Sequence, residues 1–576
     1  MDYTIRIGGQ AGQGLQTIGG ALAKAFSRSG FHVFTHQDYM SRIRGGHNFY
    51  QIRFSSKELT ATKDTVDVLV ALDLNTIEIH RSTLLGANGI ILYDADFIKK
   101  SFDGPEFLNI PFEKIAVEKG QSKIMANSVA TGAVLGMFGL DILIFEEILK
   151  ETLRKKGEEV IEKNILLAKV GFDYAVEHCS RCRAFEVAQP DSAKRLMLID
   201  GTNAIGLAAL MSGCKFYSAY PMTPSTGVFS YIASKAKEYG IVVEQVEDEI
   251  ASINMAIGAS FGGVRAMTGS SGGGFALMVE GVSLAGMTET PVVIYESQRP
   301  GPATGFPTRT EQGDLLFVLH AGHGEFPKVI FAPGTPEQAF YLTNKAFDLA
   351  EKFQIPVFIQ SDQYLADSEW TFESFDMSRL VYKDYRLRGQ ALEELADYKR
   401  HAFTDTGISP LAIPGQSKHL VVTDSDEHDE EGHIVEDAET RVKMVHKRLL
   451  KKLPLIKLEI EPPLFYGSNQ PEVIIAGFGS TYGVMKEAVD LLSKDKNIAM
   501  LHFSEVYPFP LLNKFDYISV LKSAKLTICV ENNATGQFAW LFKAETGYEF
   551  DKKINKYDGR PFTTEGLTGE LNACIR

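Results

Sequence analysis

The sequence predicts an α/β protein made of several doubly wound domains, and three observations carry that expectation. Short apolar runs bounded by turn residues, such as Asp67-Val-Leu-Val-Ala-Leu-Asp73, Gly89-Ile-Ile-Leu-Tyr-Asp94 and Pro291-Val-Val-Ile-Tyr295, read as strands buried on both faces of a parallel sheet. They alternate with segments of helical period, the pattern that lays helices on both sides of a sheet. At 576 residues the chain exceeds what one core serves, so roughly three or four domains are expected. Apolar residues at 44% and charged residues at 23% are ordinary for a soluble enzyme-type chain, and 51 glycines imply many tight turns.

A net charge of -14 without a basic run excludes nucleic acid and anionic membranes as the main partner. Met1-Asp-Tyr3 runs straight into strand-like Thr4-Ile-Arg-Ile7, and the longest apolar run, near Leu135 to Phe145, is broken by Asp141. A cytoplasmic chain with no membrane span is therefore expected. The cysteines at 179, 182, 214, 529 and 574 are odd in number and widely spaced, unlike a disulfide framework. Cys179-Ser-Arg-Cys182 supplies only half of a four-thiolate zinc or iron-sulfur site and reads as reduced thiols in a linker.

A first segment, residues 1-182, opens with a strand, then Gly8-Gly-Gln-Ala-Gly12-Gln-Gly14, then a helix through Ile18, Leu22 and Phe26. A glycine turn between strand and helix lets backbone N-H groups approach a phosphate, though these glycines do not follow the dinucleotide spacing. Ser41-Arg42-Ile-Arg44-Gly45-Gly46-His47-Asn48, placed between a helix and the strand Phe49 to Phe54, offers arginines beside pliant backbone. They suit a phosphate or carboxylate, or else an interface salt bridge. The segment ends in a charged helical stretch from Phe145 to His178, and residues 183-193 form a linker.

The second domain, 194-370, contains Tyr220-Pro221-Met222-Thr223-Pro224-Ser225. Two prolines fix φ around Met222 and Thr223, which aims the Thr223 hydroxyl from a stiff turn. A helix capped by Ser225 or Thr226 follows, with Val228, Phe229 and Ile232 on one face. Strand Ile241-Val-Val243 then delivers Glu247-Asp248-Glu249 to a second helix whose apolar face reads Ile250, Ile253, Ile257. Taken alone, such acids are ordinary dipole partners. Strand Val264 to Thr268, the turn Gly269-Ser-Ser-Gly-Gly-Gly274 and a helix repeat the ligand-facing pattern. Gln298-Arg299-Pro-Gly-Pro-Ala-Thr-Gly305 and Thr308-Arg309-Thr-Glu-Gln-Gly-Asp314 form a loop that displays two arginines. Alternation fails over 371-456, where Asp424 to His433 is acid-rich; its spacing fits no EF-hand, so it reads as a solvated connector. A last α/β domain, 457-576, runs from Val473 to Ser480, through Tyr507-Pro-Phe-Pro510, to Glu531-Asn532-Asn533.

In this order, Tyr220 to Ser225, Glu247 to Asn254, Gln298 to Gly305 and Glu531 to Gln537 resemble the α subunit of 2-oxoacid:ferredoxin oxidoreductases. The first glycine turn and Arg44 to Asn48 resemble that family's γ domain, fused ahead of α. The resemblance implies a γ-type domain, a pyrimidine-type thiamine diphosphate domain and a transketolase C-terminal-like domain. It implies CoA-dependent oxidative decarboxylation of a 2-oxoacid, 2-oxoglutarate favoured over pyruvate or a broad range, with ferredoxin reduced. No Gly-Asp-Gly occurs and the cysteines are too few for a cubane cluster, so a separate β subunit is expected to carry Mg2+, the diphosphate and a [4Fe-4S] cluster in an (αβ)2 assembly.

By resemblance the catalytic residues are Glu249, as the activating acid with Glu247 second, Thr223, as donor to the substrate carboxylate, and Arg299, as its charge partner with Arg309 as rival. Tyr220, Pro221, Thr223, Glu249, Arg309 and Asn532 are implied for cofactor binding, with Arg44, Gly12 and Gly14 for coenzyme A, and no metal ligand is expected on this chain. A dinucleotide-binding dehydrogenase or a non-catalytic scaffold are the competing classes. The first leaves Tyr220 to Ser225 unexplained.

Overall fold

The computed structural model describes residues 1-41, 45-84, 88-185, 187, 188, 190 and 196-575. They form two units. One comprises Met1-Ile199 with Asp367-Ser374 and Thr563-Leu567; the other comprises Asp200-Ala366, Phe375-Phe562 and Thr568-Arg576.

The first unit is built on β1 (Asp2-Ala11), β2 (His32-Asp38), β3 (Gly45-Ser55), β4 (Val68-Ala71), β5 (Ile90-Tyr93), β6 (Phe107-Asn109), β7 (Met197-Asp200) and β14 (Glu369-Phe372). Their sheet order is β6-β5-β4-β1-β3-β2-β14-β7. β1 pairs parallel with β4 and antiparallel with β3, so this sheet is mixed. β4 and β5 are buried throughout, as their apolar runs require. Gly8 and Gly9 lie inside β1; the turn proper is Gly12 to Gly14, with φ of 93° at Gly12 and 84° at Gly14. The element before Ser41 is β2, a strand where the sequence suggested a helix, and it hydrogen-bonds antiparallel to β3. The stretch from Phe145 to His178 is two helices, Ile142-Leu153 and Glu158-His178, separated at Gly157, whose φ is 94°.

The expected reduced thiols are not observed: Cys179 and Cys182 are joined in a disulfide. The tight turn Ser180-Ala184 brings their Cα atoms to 5.4 Å, inside the span a disulfide bridges. Arg42, Arg44 and linker residues 186, 189 and 191-193 fall outside the described residues.

In the second unit a seven-stranded sheet contains β8 (Cys214-Ala219), β9 (Val242-Gln245), β10 (Arg265-Ser270), β11 (Val292-Gln298), β12 (Val329-Phe331), β13 (Pro356-Asp362) and β20 (Glu505-Tyr507). Its order is β20-β12-β13-β11-β10-β8-β9, parallel except for β20. β10, β11 and β13 are buried at every position. A small parallel pair, β15 (Arg386-Leu387) and β16 (Leu411-Ala412), marks the connector. The second sheet, β17 (Leu464-Gly467), β18 (Val473-Phe478), β19 (Ile498-Phe503), β21 (Leu526-Glu531) and β22 (Lys552-Asn555), runs β17-β19-β18-β21-β22.

Buried charge pins the connector. Glu289, 1% exposed, accepts hydrogen bonds from the ammonium groups of Lys447 and Lys452, and His401 Nδ1 lies 3.1 Å from its Oε1. Lys447 and Lys452 are five residues apart, which places them on different faces of an α-helix. Residues His446-Lys451 are π-helical, and the wider turn swings both onto the same carboxylate. Burial opposes ionisation of Glu289, yet the two lysines hold it well below the usual carboxylate range. Burial pushes Lys447 down to about 7. The acid-rich loop is likewise anchored rather than simply solvated: His428 is fully buried with its ring 4.0 Å from His401, and Glu427 binds Arg441 and Arg448. Among the described residues, no helix is long and apolar enough to cross a membrane.

Candidate active site

Parallel strands β8, β10 and β11 bring Tyr220, Ser270 and Arg299 to one sheet edge, their carboxyl ends, where open α/β sheets receive ligands. Tyr220, just past β8, is 41% exposed. The following turn closes on itself: the Thr226 N-H and the Ser225 hydroxyl both donate to the Met222 carbonyl, at 3.1 and 2.7 Å. Ser225 thus occupies the cap position of helix Thr226-Tyr239 without the side-chain cap bond that its residue type suggested. Pro221 is half-buried in this turn, and the Thr223-Pro224 peptide is cis. Arg299 Nη1 donates to the Thr223 carbonyl at 2.7 Å, so two predicted residues meet through backbone, and the Thr223 hydroxyl stands outside that bond.

Asp248 caps helix Glu249-Phe261, its carboxylate accepting from the Ala251 N-H at 2.7 Å, which makes Glu249 the first helical residue. The buried stripe is Glu249, Ser252, Ile253, Ala256, Ile257 and Ser260. Ile250, predicted for the apolar face, is 47% exposed, because it lies one residue off the 3.6-period stripe. Glu249 is 4% exposed and its Oε1 has no hydrogen-bond partner, whereas Glu247 is exposed. Burial raises the Glu249 carboxyl above its ordinary range, with Asp248 acting in the same direction.

Gly274 faces this carboxylate. A Cβ there would lie 2.3 Å from Glu249 Oε1 and 2.2 Å from Ser270 Oγ, so Gly274→Ala forces the acid to move. Any activity that depends on this carboxyl is expected to fall about a hundredfold, the cost of displacing a reacting group by an ångström, and an unchanged rate in that variant would place Gly274 outside the site.

The loop after β11 carries the second half of the constellation. Gln312 ties it down: its backbone N-H donates to Asn532 O at 2.7 Å, its Nε2 to Phe478 O at 2.8 Å, and its Oε1 accepts from Asn532 N at 3.0 Å. Asn532, predicted as a cofactor ligand, is 3% exposed, and its side-chain amide donates to the Lys556 and Arg560 carbonyls at 2.8 and 3.3 Å. Arg309 is half-buried with its Cβ packed over Gly559, and its N-H donates to Phe306 O at 3.1 Å. Of the two arginines, Arg299 is the one bonded to Thr223.

Sequence reasoning passed over Glu296 and Asp314. Glu296 is fully buried near the end of β11, accepting from Gln360 Nε2 at 3.2 Å. Burial, then the neighbouring Asp314 charge, pushes its carboxyl well above the ordinary range. Asp314, by burial first, is raised to about 6. An acid near the carboxyl end of a fully buried parallel strand was the available signal.

The first unit has its own concavity around the glycine turn. A cavity of about 280 Å³ is lined by Gly12, Gln13, Leu72, Asp94, Phe97 and Asn127. Gly14, at the N-cap of helix Leu15-Arg28, could not carry a side chain, since a Cβ would sit 2.0 Å from Asn127 Nδ2. Arg44, expected nearby, is outside the described residues.

Comparison with known proteins matches this geometry to a family. Residues 207-447 fit the family model described as pyruvate flavodoxin/ferredoxin oxidoreductase, thiamine diP-bdg, and residues 4-174 fit pyruvate ferredoxin/flavodoxin oxidoreductase. A 2-oxoacid:ferredoxin oxidoreductase subunit alpha from Sulfolobus sp is 31% identical over 99% of this chain and 96% of its own. The 2-oxoglutarate synthase subunit KorA of Methanocaldococcus jannaschii is 33% identical over 58% of this chain and 88% of its own. Among solved structures, the 2-oxoglutarate:ferredoxin oxidoreductase from Magnetococcus marinus with 2-oxoglutarate, coenzyme A and succinyl-CoA bound superposes with a TM-score of 0.91 at 32% identity, covering 100% of both chains. The chain belongs to the 2-oxoacid:ferredoxin oxidoreductase family, as an α-type subunit of an oxidoreductase.

Proposed function

We propose that this chain is the α subunit, with a fused γ-type domain, of a 2-oxoglutarate:ferredoxin oxidoreductase. In this reading it oxidatively decarboxylates 2-oxoglutarate to succinyl-CoA and passes the electrons to ferredoxin. The observation that carries the proposal is the orphaned, buried oxygen of Glu249 beside the space left by Gly274. A buried carboxyl oxygen without a partner is costly, and a ring nitrogen of thiamine diphosphate is a partner of the right chemistry. When bound, that group supplies the electron sink for decarboxylation.

Glu249 would hold, at Oε1, the hydrogen bond to the ring, and burial, which raises its carboxyl above the ordinary range, favours the protonated form that this role needs. Exposed Glu247 lacks that environment. Arg299, anchored through Nη1 to the Thr223 carbonyl, keeps its remaining donors for the substrate carboxylate, and the Thr223 hydroxyl adds another. Tyr220 and Pro221 wall the same turn, while Arg309 and Asn532 support the loop that carries Arg299. Gly12, Gly14 and Arg44 are assigned to coenzyme A phosphates. Residues 1-182 form the γ-type domain, 194-370 the pyrimidine-type domain and 457-576 the transketolase C-terminal-like domain. A β subunit supplies Mg2+ and the [4Fe-4S] cluster, in an (αβ)2 assembly working in the cytoplasm.

The test is viologen reduction by the co-purified complex with a panel of 2-oxoacids and coenzyme A. Fastest reduction with 2-oxoglutarate is expected, pyruvate being the alternative outcome. Turnover independent of coenzyme A would sink the mechanism. In the same assay Arg299→Ala should lower kcat/KM about a hundredfold, the loss of a charged hydrogen bond of ~2.7 kcal/mol. Thr223→Ala should cost about fivefold with the unfolding transition unmoved, since it removes one donor of ~1 kcal/mol and no core contact.

A further inference from the structure

The last sheet has its own ligand crevice, and this chain fills it. From β18 the chain crosses to β19 on one side and returns to β21 on the other, so the strand order reverses between the carboxyl ends of β18 and β21. Open α/β sheets receive ligands at that point, with an anion on the N-terminal amides of the following helix. Here the side-chain amide of Gln312 bridges the two strand ends. Its Nε2 donates to the carbonyl of Phe478, the last residue of β18, at 2.8 Å, and its Oε1 accepts from Asn532 N, just past β21, at 3.0 Å. Its backbone is bonded as well, the N-H to Asn532 O at 2.7 Å and the carbonyl to Asn533 Nδ2 at 3.1 Å, and the residue is fully buried. The anion position is also taken: Glu531 accepts from the Phe538 and Ala539 N-H groups of helix Gln537-Thr546, at 2.7 and 2.9 Å. The seat leads back to Arg299. Just after Gln312, the Asp314 N-H donates to Gln298 Oε1 at 2.9 Å, which closes the loop at the residue before Arg299. Gln537 fastens that end, donating to Gly313 O at 2.6 Å and accepting from Leu316 N at 2.9 Å.

We propose that Gln312 is an internal ligand of the last domain, and that its seat holds Arg299 in register with the substrate carboxylate. The inference rests on the assignment of Arg299 to that carboxylate. The bond to the Thr223 carbonyl fixes one guanidinium nitrogen, while the backbone that carries the side chain is fixed by the loop. A carboxamide suits the seat because it offers a donor and an acceptor side by side, matching a carbonyl on one strand end and an N-H on the other. Withdrawal of Gln312 would leave the buried Asn532 N-H without a partner, together with its own amide, so the loop stays seated. Gln312 touches no reacting atom. It is a positioning residue, acting through Gln298 and Arg299. The last domain thereby shapes the 2-oxoacid site without contacting the 2-oxoacid, and its crevice is closed to a nucleotide from outside.

The experiment is a double-mutant cycle on the complex with its β subunit, read as kcat and KM for the 2-oxoacid and KM for coenzyme A, with viologen as acceptor. Gln312→Met keeps the length and bulk of the side chain and removes the amide. It is expected to lower kcat/KM for the 2-oxoacid about tenfold, through KM, within the range for coupled neighbours, and to leave KM for coenzyme A unchanged. In an Arg299→Ala background the same substitution should cost less than about twofold, since the group it positions is gone. Wild-type kinetics in Gln312→Met overturn the proposal, as does a loss of about tenfold that persists in the Arg299→Ala background. Should Gln312→Met fail to assemble, Gln537→Leu is the second variant, because it frees Gly313 and Leu316 and leaves the Gln312 bonds in place. It is expected to raise KM for the 2-oxoacid about threefold, with the same dependence on Arg299, and an unchanged KM there overturns the proposal too. If Arg299→Ala by itself leaves kcat/KM at the wild-type value, it is the assignment of Arg299 that has failed.

Discussion

Glu249→Gln is expected to lower turnover about a thousandfold without weakening the fold, because in the proposed role it removes a positioned proton donor worth ~10²- to 10⁴-fold in rate. Glutamine fills the same volume beside Gly274 and keeps hydrogen-bonding capacity, so the helix start and its Asp248 cap stay in place. The sign of the stability effect follows from linkage. A carboxyl raised above its ordinary value of 4.5 binds its proton more tightly folded than unfolded, so its ionisation costs stability as pH rises through the folded value. The variant should therefore melt at or above the wild-type temperature at neutral pH, with the gain shrinking as pH falls toward 4.5. Glu247→Gln is the control and should turn over normally. Equal losses in both variants would point to the acidic cluster as a whole rather than to one buried carboxyl.

Glu289→Gln should destabilise the second unit by ~3 to 5 kcal/mol, the range for removing one partner from a buried ion pair. The carboxylate is the sole anion bonded to Lys447 and Lys452 among their described contacts, and Arg400 Nη2 donates to the Glu289 backbone carbonyl at 2.7 Å. With the charge gone, two ammonium groups each 1% or less exposed lose their counter-ion, and the connector can no longer close over the domain. Urea denaturation followed by circular dichroism would read this as an earlier transition. Glu427→Gln supplies the comparison, since one of its partners, Arg441, is more than half exposed and can be solvated. A Glu289→Gln midpoint equal to wild type would show that the π-helical segment is held by packing alone.

Much of the architecture was legible because parallel strands buried on both faces draw mostly apolar residues over their length. β10, β11 and β13 accordingly read as runs closed by glycine or proline. The failures share a cause as well. Ile250 was placed on the core face because three isoleucines at helical spacing look like a stripe, yet the buried stripe is headed by an acid. Strand β14 pairs Trp370 with Phe34 of β2, and no local period encodes a partner so distant in the chain. His428 looked solvated because its neighbours in sequence are acids, but its neighbours in space are His401 and the Glu289 cluster.

By itself the sequence determined the alternating α/β pattern, the stiff Tyr220 to Ser225 turn, the acids at a helix start and the arginine-bearing loop, since backbone preference and burial period are local properties. Only the tertiary structure decided which of Glu247 and Glu249 is enclosed, which of Arg299 and Arg309 reaches Thr223, and that Glu296 is fully buried. Those outcomes depend on the packing of a helix, three strands and a loop from distant parts of the chain. Burial and charge proximity, the two quantities that set a carboxyl's behaviour, exist only once that packing has formed.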